Sequence, residues 1–157
     1  MLDRTTPSKI NGFRQDLAIL INHNFQQLLG RPLVIADNTS IGARLYEAPF
    51  AVLAHDDAIE PIFFYANLKA QEIFEMNWTE FTKLPSKLSA EPVNQAQRQE
   101  LLEKVSSQGY IDNYSGVRIS KTGKRFHIEK AIVWNLYSID NLRVGQAATF
   151  NQLIART

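Results

Sequence analysis

The chain of 157 residues contains no cysteine. That absence removes disulfides, thiolate metal sites, cysteine nucleophiles and cysteinyl flavin adducts together. Excess charge of either sign is also missing, with 17 Lys+Arg against 16 Asp+Glu. Without a basic surplus to neutralise phosphates, a nucleic-acid partner is not expected. No apolar run approaches the roughly 20 residues of a membrane span. Leu17 to Ile21, one of the longest, is a short stretch within a helix. Met1 to Pro7 lack a charged stretch followed by an apolar one, so no targeting segment is expected there. The expectation is a cytoplasmic protein with no membrane contact. Internal repeats, a Gly-rich phosphate loop and a Gly-x-Ser-x-Gly elbow are absent as well.

What remains is ordinary for a globular domain: 45% hydrophobic and 21% charged residues. The length fits one domain. Residues 1–10 are polar and read as a flexible tail, leaving 11–157 as a single domain. Residues 11–29 read as an amphipathic helix, with Phe13, Leu17, Leu20, Ile21 and Leu28 recurring at spacings of three and four. Gly30 and Pro32 end it. This stripe serves either packing on its own domain or a homodimer interface formed by those five residues. Strands are expected at 45–54 and 60–66, then a helix capped by Asn67 through Phe74, a short helix near 79–82, and a helix over 92–108 closed by Gly109.

The last third reads as strands over 111–120, 124–136 and 144–150. A two-residue hairpin loop at Thr122-Gly123 pairs Ile119 with Phe126, Arg118 with His127 and Val117 with Ile128. That register puts Val117, Ile119, Phe126 and Ile128 on one face and Arg118, His127 and Glu129 on the other. The element order predicts an α+β fold: a five-stranded antiparallel sheet with helices on one face, plus the N-terminal helix.

This order resembles the PAS fold, most closely at Tyr65-Ala66-Asn67-Leu68-Lys69-Ala70-Gln71-Glu72-Ile73-Phe74, where Asn67, Ala70 and Phe74 match a strand followed by an Asn-capped helix. A narrower group, the MEKHLA domain, is similar over roughly residues 13 to 152. Its matching segments include Ala54-His55-Asp56, Leu84-Pro85-Ser86-Lys87-Leu88-Ser89-Ala90-Glu91, Arg125-Phe126-His127-Ile128-Glu129-Lys130-Ala131, Val133-Trp134-Asn135-Leu136 and Gly145-Gln146-Ala147-Ala148-Thr149-Phe150. The namesake hexapeptide survives in part, as Ile128-Glu129-Lys130-Ala131. Such domains occur as small bacterial proteins and at the C-terminus of plant homeodomain–leucine-zipper factors. Neither a homeodomain nor a zipper accompanies this one, so the resemblance is to the stand-alone bacterial type.

The resemblance implies a sensory or regulatory module, non-catalytic and dimeric, that binds a small molecule or a signalling partner. Candidate ligand-binding residues are Asn67, Phe74, Tyr114, Arg118, His127, Glu129, Trp134, Asn135 and Gln146. An Arg118 fork could hold a carboxylate ligand, or pair with Glu129 as a structural ion pair. Trp134 reads as core or as a cavity wall. The helix at 92–108 offers no His, which disfavours a haem ligated from it. No cofactor is otherwise specified. His55-Asp56-Asp57 reads as a polar turn rather than a metal site. Two alternatives stay open: a ligand-free dimeric scaffold, and a small cone-fold enzyme of the ketosteroid-isomerase kind using Asp112, Tyr114 and His127.

Overall fold

A computed structural model describes residues 3–156, with the backbone alone over 152–156. Met1, Leu2 and Thr157, parts of the expected tail and domain, lie outside the described residues. Within residues 3–8, Pro7 is buried and Arg4 and Ser8 are half-buried. Arg4 bridges to Asp56 at 2.8 Å, and its carbonyl accepts the Trp78 indole N–H at 2.9 Å.

Helix α1 spans Gln15–Leu29 and ends at Gly30 in the left-handed conformation. A 3-10 turn at Lys9–Asn11 precedes it. The expected start at residue 11 is therefore too early. Helix α2, Ile41–Tyr46, takes the first two residues of the strand expected at 45–54, and 47–50 are irregular. Asp37 accepts hydrogen bonds from the backbone and hydroxyls of Thr39 and Ser40, which organises the turn that launches it. Strand β1 is Ala51–Asp56 and β2 is Phe63–Ala66. Helix α3 is Leu68–Phe74, α4 is Trp78–Phe81, and α5 is Pro92–Gln108, with Pro92 in its first turn. Strands β3, Tyr110–Ile119, β4, Arg125–Tyr137, and β5, Arg143–Phe150, complete the expected set.

The sheet is antiparallel, in the order β2-β1-β5-β4-β3. A sixth strand, β6 at Gln152–Arg156, was not anticipated. It follows β5 after Asn151 and pairs with the first half of β4, while β5 pairs with the second half.

Two layers of helix cover the sheet. On one face, α1 places Leu17, Ile21 and Phe25 against Val52, Ala54, Trp134, Leu136 and Ala147. Phe25 meets Trp134 edge-on at 4.9 Å. Two of the five stripe residues proposed for a dimer, Leu17 and Ile21, are thus buried within their own chain. Phe13, Leu20 and Leu28 are half-buried at the margin of this cluster. The other face carries Ala51, Leu53, Phe126, Ile128 and Phe150 under Ala70, Phe74 and Phe81, with Val133 under Leu101 and Val105 of α5.

The hairpin corrects the expected register. The turn takes three residues, because the Ser120 N–H bonds to the Lys124 carbonyl and Gly123 adopts φ 90°. A type I turn closed by a left-handed glycine is the favoured three-residue solution. Arg118 consequently pairs with Phe126, Val117 with His127 and Gly116 with Ile128. A shift of one residue sends every side chain of a strand to the opposite face. Arg118 therefore joins Phe126 and Ile128 on the buried side, while His127 and Glu129 point the other way.

Candidate functional site

A partly open cavity of about 60 Å³ lies on the α5 side of the sheet. Apolar walls come from Leu53, Phe63, Phe74, Ile128 and Phe150, and its polar side chains are His55, Ser89, Arg98, Tyr114, Arg118 and Gln146. No carboxylate is among its lining residues.

Strand register explains why these groups converge. His55 of β1, Gln146 of β5 and Asn135 of β4 are direct neighbours across three central strands. They form a polar row on the α5 side. Gln146 donates to Asn135 Oδ1 at 3.1 Å and to the Leu102 carbonyl at 3.2 Å, tying the row to α5. Asn135 donates to the Val105 carbonyl at 3.0 Å. A bulge returns β4 to this side: Lys130 takes φ 55°, and the pairing steps from Gly116↔Ile128 to Tyr114↔Ala131. Hence Ile128 and Val133, an odd number of residues apart, both face α5. Gly145 lets β5 approach β1 closely, since a Cβ there would overlap the His55 carbonyl.

Two guanidiniums enter the cavity from opposite walls. Arg98 comes from α5, where it shares the inward stripe with Leu101 and Val105, and is 6% exposed. It donates to the Ser86 hydroxyl. Arg118 comes from β3, is 8% exposed, donates to the Val117 carbonyl at 2.8 Å and lies 5.8 Å from the Tyr114 ring centre. Neither forms a salt bridge among the described residues. Burial, reinforced by the charge of Arg118, lowers the Arg98 pKa to about 10.

His55 supplies an acceptor. Its Nδ1 lies 2.8 Å from the Asp56 carbonyl, which fixes the proton on Nδ1 in the neutral ring. Nε2 is buried without a partner, as is the Tyr114 hydroxyl. Burial above all holds the His55 pKa down to about 4. Arg98 and Arg143 add to the effect, and the hydrogen bond to the Asp56 carbonyl and the Asp56 charge oppose it. The imidazole is neutral at pH 7.

Four of the candidate residues, Phe74, Tyr114, Arg118 and Gln146, line this cavity. Others do not. Trp134 faces α1, its indole N–H reaching the Ile21 carbonyl at 3.3 Å. Asn67 is consumed by structure: Oδ1 accepts from Val52 and Ala70 N–H, and Nδ2 donates to the Leu45 and Phe50 carbonyls. Those four bonds exhaust an Asn side chain. Asn135 sits beside the cavity as a support for Gln146. His127 and Glu129 lie on the far face, so the Arg118–Glu129 pair does not form. The set Asp112, Tyr114 and His127 is not assembled either, because Asp112 is exposed and His127 faces away from Tyr114. Sequence reading missed Arg98 and His55. Arg98 falls at the i, i+3, i+7 positions of a buried stripe, where an apolar residue belongs, and His55 ends an apolar run.

Among the described residues there is no group of three or more His, Asp or Glu able to hold a metal ion, and no helix is long and apolar enough to cross a membrane.

Solved structures share this architecture at low sequence identity. A PAS domain from Colwellia psychrerythraea aligns with TM-score 0.61 and 15% identity, over 73% of this chain and 92% of that one. A light-oxygen-voltage domain studied with a flavin analogue gives 0.58 and 13%, over 75% and 85%. The PAS domain of a LuxR-family transcriptional regulator from Burkholderia thailandensis, in complex with ethanol, gives 0.53 and 11%, over 68% and 92%. At such identities the likeness is one of fold. The cavity's volume of about 60 Å³ is well below the roughly 300–1,000 Å³ of pockets that take drug-sized ligands. No curated protein matches the chain. The fold is PAS-like, and with the MEKHLA domain matched over residues 15–154, nearly its full length, the chain belongs to the MEKHLA domain family.

Proposed function

We propose that the protein is a non-catalytic sensory module that binds a small molecule in the cavity between α5 and the sheet. One observation carries this reading. The cavity collects two buried guanidiniums without acidic partners, an unpartnered His55 Nε2 and an unpartnered Tyr114 hydroxyl. Buried polar groups are normally satisfied, and isolated ones are costly to keep. A ligand that satisfies them accounts for their retention. The ethanol complex of the Burkholderia thailandensis domain is a precedent for a ligand of a few atoms in this fold.

The ligand acts through α5. Leu102 and Val105 carbonyls hold the Gln146–Asn135 row, and Arg98 reaches across to Ser86, so occupation biases how α5 packs on β3, β4 and β5. The output then passes to a signalling partner in the cytoplasm. A homodimer is the second reading. It draws on a groove beside α1 lined by Ile19, Leu20, His23, Leu28 and Tyr137 and flanked by the fully exposed Ile139.

Native mass spectrometry of protein purified from its own host tests the first reading. A stoichiometric extra mass that is lost on denaturation is expected. A clean apo mass, unchanged by incubation with host metabolite extract, would contradict it.

A further inference from the structure

We infer that the cavity is a receptor for a small monocarboxylate, held by Arg98 and Arg118 through its charge and by the phenylalanine walls through its short apolar tail. This deepens the reading of the cavity as a ligand site and rests on it.

Two cationic side chains, each at least nine-tenths buried, share a cavity whose lining contains no Asp or Glu. Neither meets a carboxylate elsewhere among the described residues. A buried guanidinium without a counter-charge is unfavourable, and a second one nearby makes it more so. An anion resolves both at once. The planar guanidinium fork matches a carboxylate, and the Tyr114 hydroxyl is a further free donor. His55 Nε2, an acceptor in the neutral ring, is satisfied by a water that accompanies the ligand or by a ligand hydroxyl.

Size and polarity narrow the class. A cavity of about 60 Å³ exceeds the roughly 10–15 Å³ that one water needs and suits a ligand of few non-hydrogen atoms. Acetate and propionate have that size. Away from the arginines the walls are Leu53, Phe63, Phe74, Ile128 and Phe150, which favour an alkyl end over a second charge. A dicarboxylate would bury an unpaired anion against those phenyl rings.

The test titrates the full chain with acetate, propionate and the neutral isostere acetamide at constant ionic strength, followed by amide NMR shifts and by melting temperature. Saturable shifts in α5 and β3 with acetate and propionate, none with acetamide, and at least tenfold weaker binding in Arg98→Met are expected. Should Arg98→Met fail to fold, Arg118→Met gives the same comparison, and acetate against acetamide needs no variant at all. Acetamide binding as well as acetate would overturn the carboxylate assignment and leave the cavity a ligand site. Binding of neither would overturn it too, and the native mass of host-purified protein then decides the broader reading separately.

Discussion

Two neighbouring residues of β4 carry opposite kinds of burial. Trp134 points to α1, packs edge-on against Phe25 and finds a backbone carbonyl for its indole N–H. Asn135 points to α5 and joins a polar row that ends at His55, whose Nε2 has no partner. The α1 face is closed by aromatic and aliphatic contacts, and its unpartnered Tyr65 hydroxyl lies apart from any cavity charge. The α5 face keeps two guanidiniums, an imidazole and a phenol around open space. One sheet thus has a face selected for packing and a face that retains groups packing alone would remove. The α1 face holds the fold, and under the proposed function the α5 face gives up stability for recognition.

The largest expected effect breaks the packing face. Trp134→Ala should lower unfolding free energy by about 3–5 kcal/mol, read by urea denaturation. Acetate affinity should stay within about twofold wherever the variant is folded. Loss of both together would mean that the two faces are not separable.

A pH titration probes the other face. His55 titrates near 4 when folded and near 6.5 when unfolded. Between those values the unfolded chain binds the extra proton, so stability falls on acidification. The contribution is fully present above pH 6.5 and is lost as pH drops toward 4, amounting to about 3 kcal/mol. Arg98 of α5, Arg143 of β5 and Asp56 of β1 are the charges that modulate it. His55→Phe should flatten this part of the pH profile, and an unchanged profile would place the titration elsewhere.

The smallest effect tests the register. His127→Ala and Glu129→Gln alter half-buried side chains on the face away from the cavity. Each should change stability by less than about 0.5 kcal/mol and leave acetate binding unchanged. A tenfold loss of affinity in either would restore the two-residue hairpin pairing.

Local signals carried four of the five helices and five of the six strands. Asn67 and Gly109 cap helices that end where their chemistry requires, and α5 runs over the expected residues 92–108. The site was less legible because it depends on parity. Thr122-Gly123 suggests a two-residue turn, but Gly123 serves as the left-handed third residue of a longer one, and that single step puts Arg118 and His127 on opposite faces. The Lys130 bulge then shifts the second half of β4, which no alternation count across it could anticipate. Arg98 was missed: it is a charge on an apolar stripe, and its meaning required the arginine that enters the same cavity from β3. Leu45 and Tyr46, expected in a strand and found in α2, show why a run of mixed apolar residues cannot by itself separate strand from helix.

The double variant Arg98→Met/Arg118→Met tests the contrast between the faces most directly. Replacing buried unpaired charges with apolar side chains of similar length should raise unfolding free energy of the ligand-free protein by about 1–3 kcal/mol, measured in urea at pH 7, and abolish stabilisation by acetate. A double variant destabilised as severely as Trp134→Ala would show instead that the two arginines are structural members of the core, and the account of the α5 face as a recognition surface would fail.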